Sequence, residues 1–231
     1  MSVPRHLGLI IDGNRRWAAR NGLSRLEGHR HGAEALRKLV PAIIARGIPA
    51  VSVYTFSTEN WRRTAEEVSV LMSLIGGVFR QYFDWFKKEG ARVRISGRTA
   101  DFPEEIQKVF AEAIEATKEN TKLIANFCLS YGGREEIVRM VKKIAEESGG
   151  QAEAIAQIDE AAIEKNLYTH GLPDVDLVVR TGGDQRLSNF LPWQCAYAEL
   201  YFTKTLWPDF DERELDKALE YFAETKRNFG K

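Results

Sequence analysis

The chain has 231 residues, 33 basic against 33 acidic, with 44% apolar residues and two cysteines. That length suits one α/β domain over 1–231 or two very small ones, and the zero formal charge excludes a general attraction to nucleic acid or to an anionic membrane. Cys128 and Cys195 read as buried free thiols of a reducing compartment, no apolar run approaches the ~20 residues of a membrane span, and the N-terminus lacks an apolar signal region, so a cytoplasmic protein is expected.

The first apolar run, 7–11, reads as a short strand. It leads into Asp12-Gly13-Asn14-Arg15-Arg16-Trp17, where a glycine and basic residues meet a helix start. Helix N-termini offer free N–H groups and a positive dipole end, which suits phosphate. Asp12 has two readings from its position, a helix cap or a carboxylate holding a divalent cation against phosphates. Helical periodicity follows over 32–46, then a strand over 50–56. That strand ends in a second junction, Tyr54 to Arg63, rich in hydroxyl, amide, aromatic and arginine side chains.

A helix over 65–88 is apolar around more than one stripe, from Val68 to Phe86. Both a helix sandwiched in a core or dimer interface and the wall of an apolar tunnel fit that pattern. Gly76-Gly77 in its middle suggests a kink that leaves room for a chain, or close helix packing. Arg63 and Glu67, spaced i to i+4, have the spacing of a helical ion pair.

Further along come a strand over 92–96, a helix over 103–118 with Pro103 in its first turn, a strand over 123–129 and a helix over 135–147. Ser148-Gly149-Gly150 reads as a turn within the domain. A strand over 177–179 runs into Arg180-Thr181-Gly182-Gly183-Asp184-Gln185-Arg186-Leu187-Ser188-Asn189, a third junction in which arginines and a serine flank two glycines. Guanidinium forks match phosphate oxygens in pairs, and glycines let a backbone approach an anion. A strand over 199–202, a turn at Trp207-Pro208, an Asp211 cap and a helix over 212–226 complete the pattern. Alternation of this kind predicts a single α/β domain with a central, mainly parallel six-stranded sheet flanked by helices. The Walker pattern and G-x-G-x-x-G are both absent, which argues against a nucleotide-dependent kinase.

Asp12 to Trp17, Gly28-His29, Phe56 to Trp61, Tyr131-Gly132-Gly133-Arg134-Glu135, Arg180 to Phe190 and Ala196 to Asp211 resemble, in order, the signature blocks of the cis-prenyltransferases. The resemblance covers nearly the whole chain. It implies condensation of isopentenyl diphosphate with an allylic diphosphate, such as farnesyl or geranylgeranyl diphosphate, to a Z-polyprenyl diphosphate of the undecaprenyl type. A short-chain product, or a non-catalytic scaffold subunit of the same family, is the alternative. By resemblance Asp12 is the central, metal-binding carboxylate, and Asn60 orients or relays a proton at the reacting centre. Gly13, Asn14, Arg15, Arg16 and Arg25 hold the allylic diphosphate, with Trp17 beside them. Bacterial members often carry glycine where Arg15 stands. Arg180, Arg186 and Ser188 grip the diphosphate of isopentenyl diphosphate. His29, Ser57, Thr58, Glu59, Trp61 and Arg63 line the reacting centre. Glu199 stands near the Mg²⁺, where a lone carboxylate in an apolar strand would find its partner. An apolar tunnel, a homodimer and transient contact with a membrane surface complete the expectation.

Overall fold

Strand β1 (His6–Ile10) is buried at every position, which is why it reads as an uninterrupted apolar run rather than an alternating one. The computed structural model describes residues 2–149 and 151–225, so Gly150 of the expected turn and Lys226 of the last expected helix lie outside the described residues. After β1 the chain continues through α1 (Asn14–Arg20), α2 (Arg25–Ala45), β2 (Ala50–Ser57), α3 (Ala65–Glu89), β3 (Ala91–Ser96), α4 (Glu104–Thr117), β4 (Leu123–Tyr131) and α5 (Gly133–Glu147). Two short helices follow, α6 (Ala152–Ala156) and α7 (Glu160–Asn166), before β5 (Leu177–Arg180), β6 (Glu199–Phe202) and α8 (Glu212–Glu224).

All six expected strands are present, and each neighbouring pair is parallel, in the order β3-β4-β2-β1-β5-β6. Alternate residues of β1 and β5 feed two apolar clusters, as the period of two requires. Leu7, Leu9, Leu177 and Val179 join the large one with residues of α2, α3, α4 and α8. Ile10 and Val178 join a smaller one with Phe190 and Leu191. A buried polar row crosses four strands. His6 Nδ1 donates to the Pro173 carbonyl at 2.6 Å, so its Nε2 accepts from Ser52 Oγ at 2.8 Å; Asn126 Nδ2 donates to Ser52 Oγ at 2.8 Å, and Ser96 Oγ donates to Asn126 Oδ1 at 2.9 Å. Burial pushes the His6 ring down to about 4, so it is neutral at physiological pH.

Helix starts differ from the expectation in instructive ways. Helix α2 begins at Arg25, seven residues before 32, because Ser24 and Glu27 form a reciprocal capping box. Helix α1 has no side-chain cap, only Gly13 at φ 113°. Pro103 is the N-cap of α4 rather than part of its first turn, and Asp211 caps α8 as expected, accepting from the N–H groups of Arg213 and Glu214. Helix α3 runs unbroken through Gly76-Gly77. Gly76 is buried, and a Cβ there would stand 3.3 Å from Ile106 of α4, so it serves close helix packing. Gly77 is exposed with nothing within 4 Å, so it lines no cavity.

Candidate active site at the carboxyl ends of the strands

In the sheet order, β1 lies between β2 and β5, so the chain winds outward from β1 on one side and returns on the other. Ligands of open α/β sheets bind at such a switch point, outside the carboxyl ends of the strands. Asp12 follows β1 and Arg180 ends β5, and Ile10 and Arg180 are ladder partners. The register brings the two side chains together: Arg180 Nη2 donates to Asp12 Oδ2 at 3.1 Å and to Asp184 Oδ2 at 3.2 Å. Arg180 Nη1 donates to the Arg186 carbonyl at 2.5 Å and to Ser188 Oγ at 2.7 Å. The residue is 4% exposed. All four Nη protons are therefore committed within the protein, and the buried Nε–H has no partner among the described residues. Here Arg180 is first the brace of Asp12 and of the 180–189 loop, not a free fork awaiting a phosphate. The other Asp12 oxygen pairs with Arg16 Nη2 at 3.2 Å.

Glycines decide how α1 is seated. A Cβ on Gly32 would overlap the Asn14 carboxamide and stand 3.0 Å from Trp207, and one on Gly28 would stand 2.8 Å from Ala18. Glycine at i and i+4 of α2 thus lets the start of α1, and with it Asp12, lie against α2. Gly182, at φ 85°, lets Arg16 Nη1 reach its carbonyl at 2.5 Å.

The opposite wall comes from the 3₁₀ turn Thr58–Arg62 and from α2. Asn60 Oδ1 accepts from the Ser57 N–H at 3.0 Å, which fixes the amide and leaves its Nδ2 free to donate. His29 lies in the wall. Burial, then the charges of Arg63 and Arg15, push its ring down to about 4, so it is a neutral, weakly basic imidazole at pH 7. Arg63 is half-buried; burial and then the charge of Arg15 lower its guanidinium below the usual value.

One cavity of about 1050 Å³ connects these groups. Its mouth holds Asp12, Gly13, Asn14, Arg15, Arg16, His29, Ser57, Glu59, Asn60, Arg63, Arg180 and Ser188, and from there it runs between α2 and α3 along Leu36, Leu71, Ile75, Val78 and Phe79 to Phe86. At that far end Tyr82 Oη donates to Glu34 Oε2 at 3.2 Å, and Arg37 donates to both Glu34 oxygens at 2.7 and 2.5 Å, so a polar clasp ties α3 to α2. Arg37 and Tyr82 both line the cavity.

Six expected site residues lie elsewhere. Trp17 Nε1 donates to Asp209 Oδ1 at 2.6 Å, and its ring packs on His31 at 4.6 Å. Arg25 pairs with Glu67, as does Arg15 at 3.5 Å, so the expected Arg63–Glu67 helical pair gives way to pairing between helices. Thr58 Oγ1 donates to Glu59 at 3.2 Å, Trp61 packs against Phe56 and Phe102, and Arg186 pairs with Asp184 at 2.6 Å. None of these five lines the cavity.

Glu199 is the sixth. It is level with Leu177 and hence with Leu7, at the amino end of the sheet. Five residue rises and two strand spacings separate it from Asp12 by roughly 19 Å. One ion cannot bridge them within a chain. Glu199 begins an edge strand and is only half-buried, so it does not need the partner that a fully buried carboxylate would. The second carboxylate beside Asp12 is Asp184, through their shared contact with Arg180.

Tyr54, Arg134 and Asn189 are among the cavity residues that sequence reading left without a role. Arg134 stands at a fourth junction of the same kind, where β4 meets α5. Asn189 joins three segments, donating from Nδ2 to Glu59 at 2.9 Å and accepting from the N–H groups of Arg134 at Oδ1 and Gly133 at its carbonyl, each at 2.9 Å. Five guanidinium groups at the mouth (Arg15, Arg16, Arg63, Arg134, Arg180) thus face two carboxylates, Asp12 and Glu59. Among the described residues no three His, Cys, Asp or Glu side chains gather as a metal cage. A single exposed-edge carboxylate such as Asp12 fits Mg²⁺ of the kind that takes one or two carboxylates and completes its shell with phosphate oxygens and water.

No helix among the described residues is long and apolar enough to cross a membrane. Residues 10–230 match the family model described as "Putative undecaprenyl diphosphate synthase". An isoprenyl transferase of Zymomonas mobilis is 44% identical over 99% of this chain and 92% of its own length. A trans,polycis-polyprenyl diphosphate synthase ((2Z,6E)-farnesyl diphosphate specific) of Thermobifida fusca is 42% identical over 99% of this chain and 81% of its own. The crystal structure of lavandulyl diphosphate synthase from Lavandula x intermedia, in complex with dimethylallyl diphosphate, superposes with a TM-score of 0.93 at 33% identity over 99% of both chains. With its motifs in order, its fold shared and its polar mouth opening into an apolar cavity, this chain belongs to the undecaprenyl diphosphate synthase family of prenyltransferases.

Proposed function

We propose that this enzyme condenses isopentenyl diphosphate with an allylic diphosphate, farnesyl or geranylgeranyl diphosphate, to give a Z-polyprenyl diphosphate of the undecaprenyl type. The observation that carries this reading is the two-ended cavity, cationic around Asp12 and Arg180 and apolar between α2 and α3. A substrate with a diphosphate head and a hydrocarbon tail matches both ends. The volume of about 1050 Å³ stands at the upper end of ordinary small-ligand sites, as an elongating tail needs.

In the reaction the allylic C–O bond breaks, the alkene of isopentenyl diphosphate forms the new C–C bond, and a proton leaves to set the cis double bond. Negative charge grows on the departing diphosphate, and fixed guanidinium groups around it stabilise that charge without reorganising. Arg16, Arg63 and Arg15 face the allylic head, while Ser188 and the loop braced by Arg180 face the second diphosphate. Asp12 would hold Mg²⁺, which when bound would supply Lewis-acid assistance to the leaving group. Asn60, its Oδ1 already engaged, orients a substrate by donating from Nδ2; an amide is no strong base.

A homodimer belongs to the same proposal. Glu199 meets a metal at Asp12 only if a second copy brings it there, and Tyr197 beside it is 74% exposed on the edge of the sheet. A short-chain product is the second reading, favoured by the likeness to lavandulyl diphosphate synthase.

Purified protein given radiolabelled isopentenyl diphosphate and farnesyl diphosphate, with and without Mg²⁺, tests the reading. Metal-dependent products of increasing mass are expected, and Asp12→Ala should abolish them while the protein still folds, melting a few degrees lower because Arg180 and Arg16 lose a partner. Absence of any extended product, or a fully active Asp12→Ala variant, refutes it. Product mass separates long from short chains, and light scattering at twice 26.2 kDa supports the dimer.

A further inference from the structure

The 3₁₀ turn that carries Asn60 is anchored from the side away from the cavity. Trp61, its neighbour in sequence, lies outside the lining and donates from Nε1 to Ser130 Oγ at 2.8 Å. Ser130 Oγ donates its single proton to Asp101 Oδ2 at 2.5 Å, and Arg98 Nε donates to the same oxygen at 2.9 Å. The Arg98 N–H returns to the Ser130 carbonyl at 3.2 Å. An indole, a hydroxyl, a carboxylate and a guanidinium thus form one chain from the Asn60 turn to the surface.

Ser130 is fully buried and sits at φ 46°, in the left-handed region that L-residues with a Cβ avoid. Glycine would hold that backbone with less strain. The strain is borne at the end of β4, behind the Asn60 turn, and strained residues of this kind concentrate where surrounding structure over-determines them for function. The hydroxyl is what serine has there and glycine lacks. Asn60 and Trp61 leave the turn in different directions, one to the cavity and one to Ser130. Fixing the indole therefore fixes the aim of the amide.

We infer that Ser130 and Asp101 are positioning residues for Asn60, acting through Trp61; the inference rests on the prenyl-transfer reading of the cavity. Ser130 retains an unfavourable backbone so that its hydroxyl can link indole to carboxylate. Two substitutions at one position separate this from a role in folding. Ser130→Gly keeps the backbone conformation and deletes the hydroxyl. Ser130→Asn tolerates the left-handed conformation and supplies both an acceptor for the indole and a donor for Asp101.

The experiment measures melting temperature, indole N–H exchange of Trp61 by NMR, and kcat and KM for both diphosphates. Ser130→Gly should melt only a few degrees below the parent, since relief of the left-handed strain offsets part of the two lost hydrogen bonds, exchange its Trp61 indole proton faster, and lose about 10- to 100-fold in kcat at little-changed KM, the scale of a misplaced catalytic group. Ser130→Asn should restore kcat, and Asp101→Ala should reproduce the kcat loss. A parent enzyme that forms no extended product would refute the reading of the cavity itself. An active parent whose Ser130→Gly variant keeps full kcat, or loses kcat and melting temperature together with no rescue by asparagine, would overturn the positioning role.

Discussion

Replacing Arg180 with lysine distinguishes a brace from a phosphate fork. Lysine keeps the charge but has three N–H donors on one nitrogen, whereas Arg180 serves four acceptors from two nitrogens: the Arg186 carbonyl, Ser188 Oγ, Asp12 and Asp184. At least one acceptor is abandoned, and the ammonium cannot reach both pairs at once. Hydrogen bonds to charged groups contribute about 1.5–3 kcal/mol each, and a site 4% exposed admits little water to compensate. A loss of about 2–4 kcal/mol follows, which for a domain of this length lowers the melting temperature by about 4–16 °C. Because the abandoned partners include Asp12, the carboxylate of the proposed reacting centre, kcat should fall along with affinity for isopentenyl diphosphate. The assay is a thermal melt paired with titrations of each diphosphate at fixed concentrations of the other. If Arg180 only gripped a diphosphate, KM for isopentenyl diphosphate alone would rise. A variant melting within about 1 °C of the parent with unchanged kcat refutes the brace.

Three further expectations follow from packing and burial. Gly32→Ala should destabilise by about 1–3 kcal/mol and weaken the allylic substrate, because its Cβ collides with the Asn14 carboxamide; a variant with parental melting and KM would show that α1 yields freely. His6, held at about 4 against a free value of 6.5, stays neutral in the folded state while the unfolded chain protonates, so stability present above pH 6.5 is lost as pH falls toward 4. The loss is about 3 kcal/mol, read as a falling urea midpoint that His6→Gln flattens; a parental midpoint constant across that window refutes it. Tyr82→Phe removes the bond from α3 to Glu34 at the far end of the cavity and should lengthen products, whereas Gly77→Leu, facing open space, should leave them unchanged; the reverse pattern by product mass would mean that the tail runs elsewhere.

The strands were legible because a parallel sheet buried on both faces writes each strand as a plain apolar run. Helix starts were less so. Residues 25–31 of α2 are mostly charged or polar and carry no apolar period, although the Ser24–Glu27 box was present to be read. At the site, junction chemistry located Asp12, Arg16, Asn60 and Arg180, since an arginine or carboxylate at a strand end faces the switch point whatever the details. Direction was the part that residue identity could not supply. Trp61 follows Asn60 and points away from it, and Trp17 follows Arg16 and turns to Asp209. Glu199 is placed near the metal by resemblance, with the cost of a buried carboxylate as support, but β6 is an edge strand and that cost is small there.

The arginines at the mouth divide by what already holds them. Arg16 and Arg180 are tied to Asp12, and Arg15 to Glu67, so their charges are partly spent before substrate arrives. Arg63 and Arg134 have no side-chain ion pair among the described residues, and Arg63 is held half-buried beside Arg15, against its own hydration. A cation that is desolvated and unpaired gains more from an incoming diphosphate than one already neutralised. Arg16 and Arg180 hold Asp12 in place, and on the proposed reading Arg63, half-buried and without an ion pair among the described residues, supplies the attraction. On the proposed reading, a chain of zero net charge thus gathers guanidinium groups at the cavity mouth, where a multiply charged diphosphate head would enter.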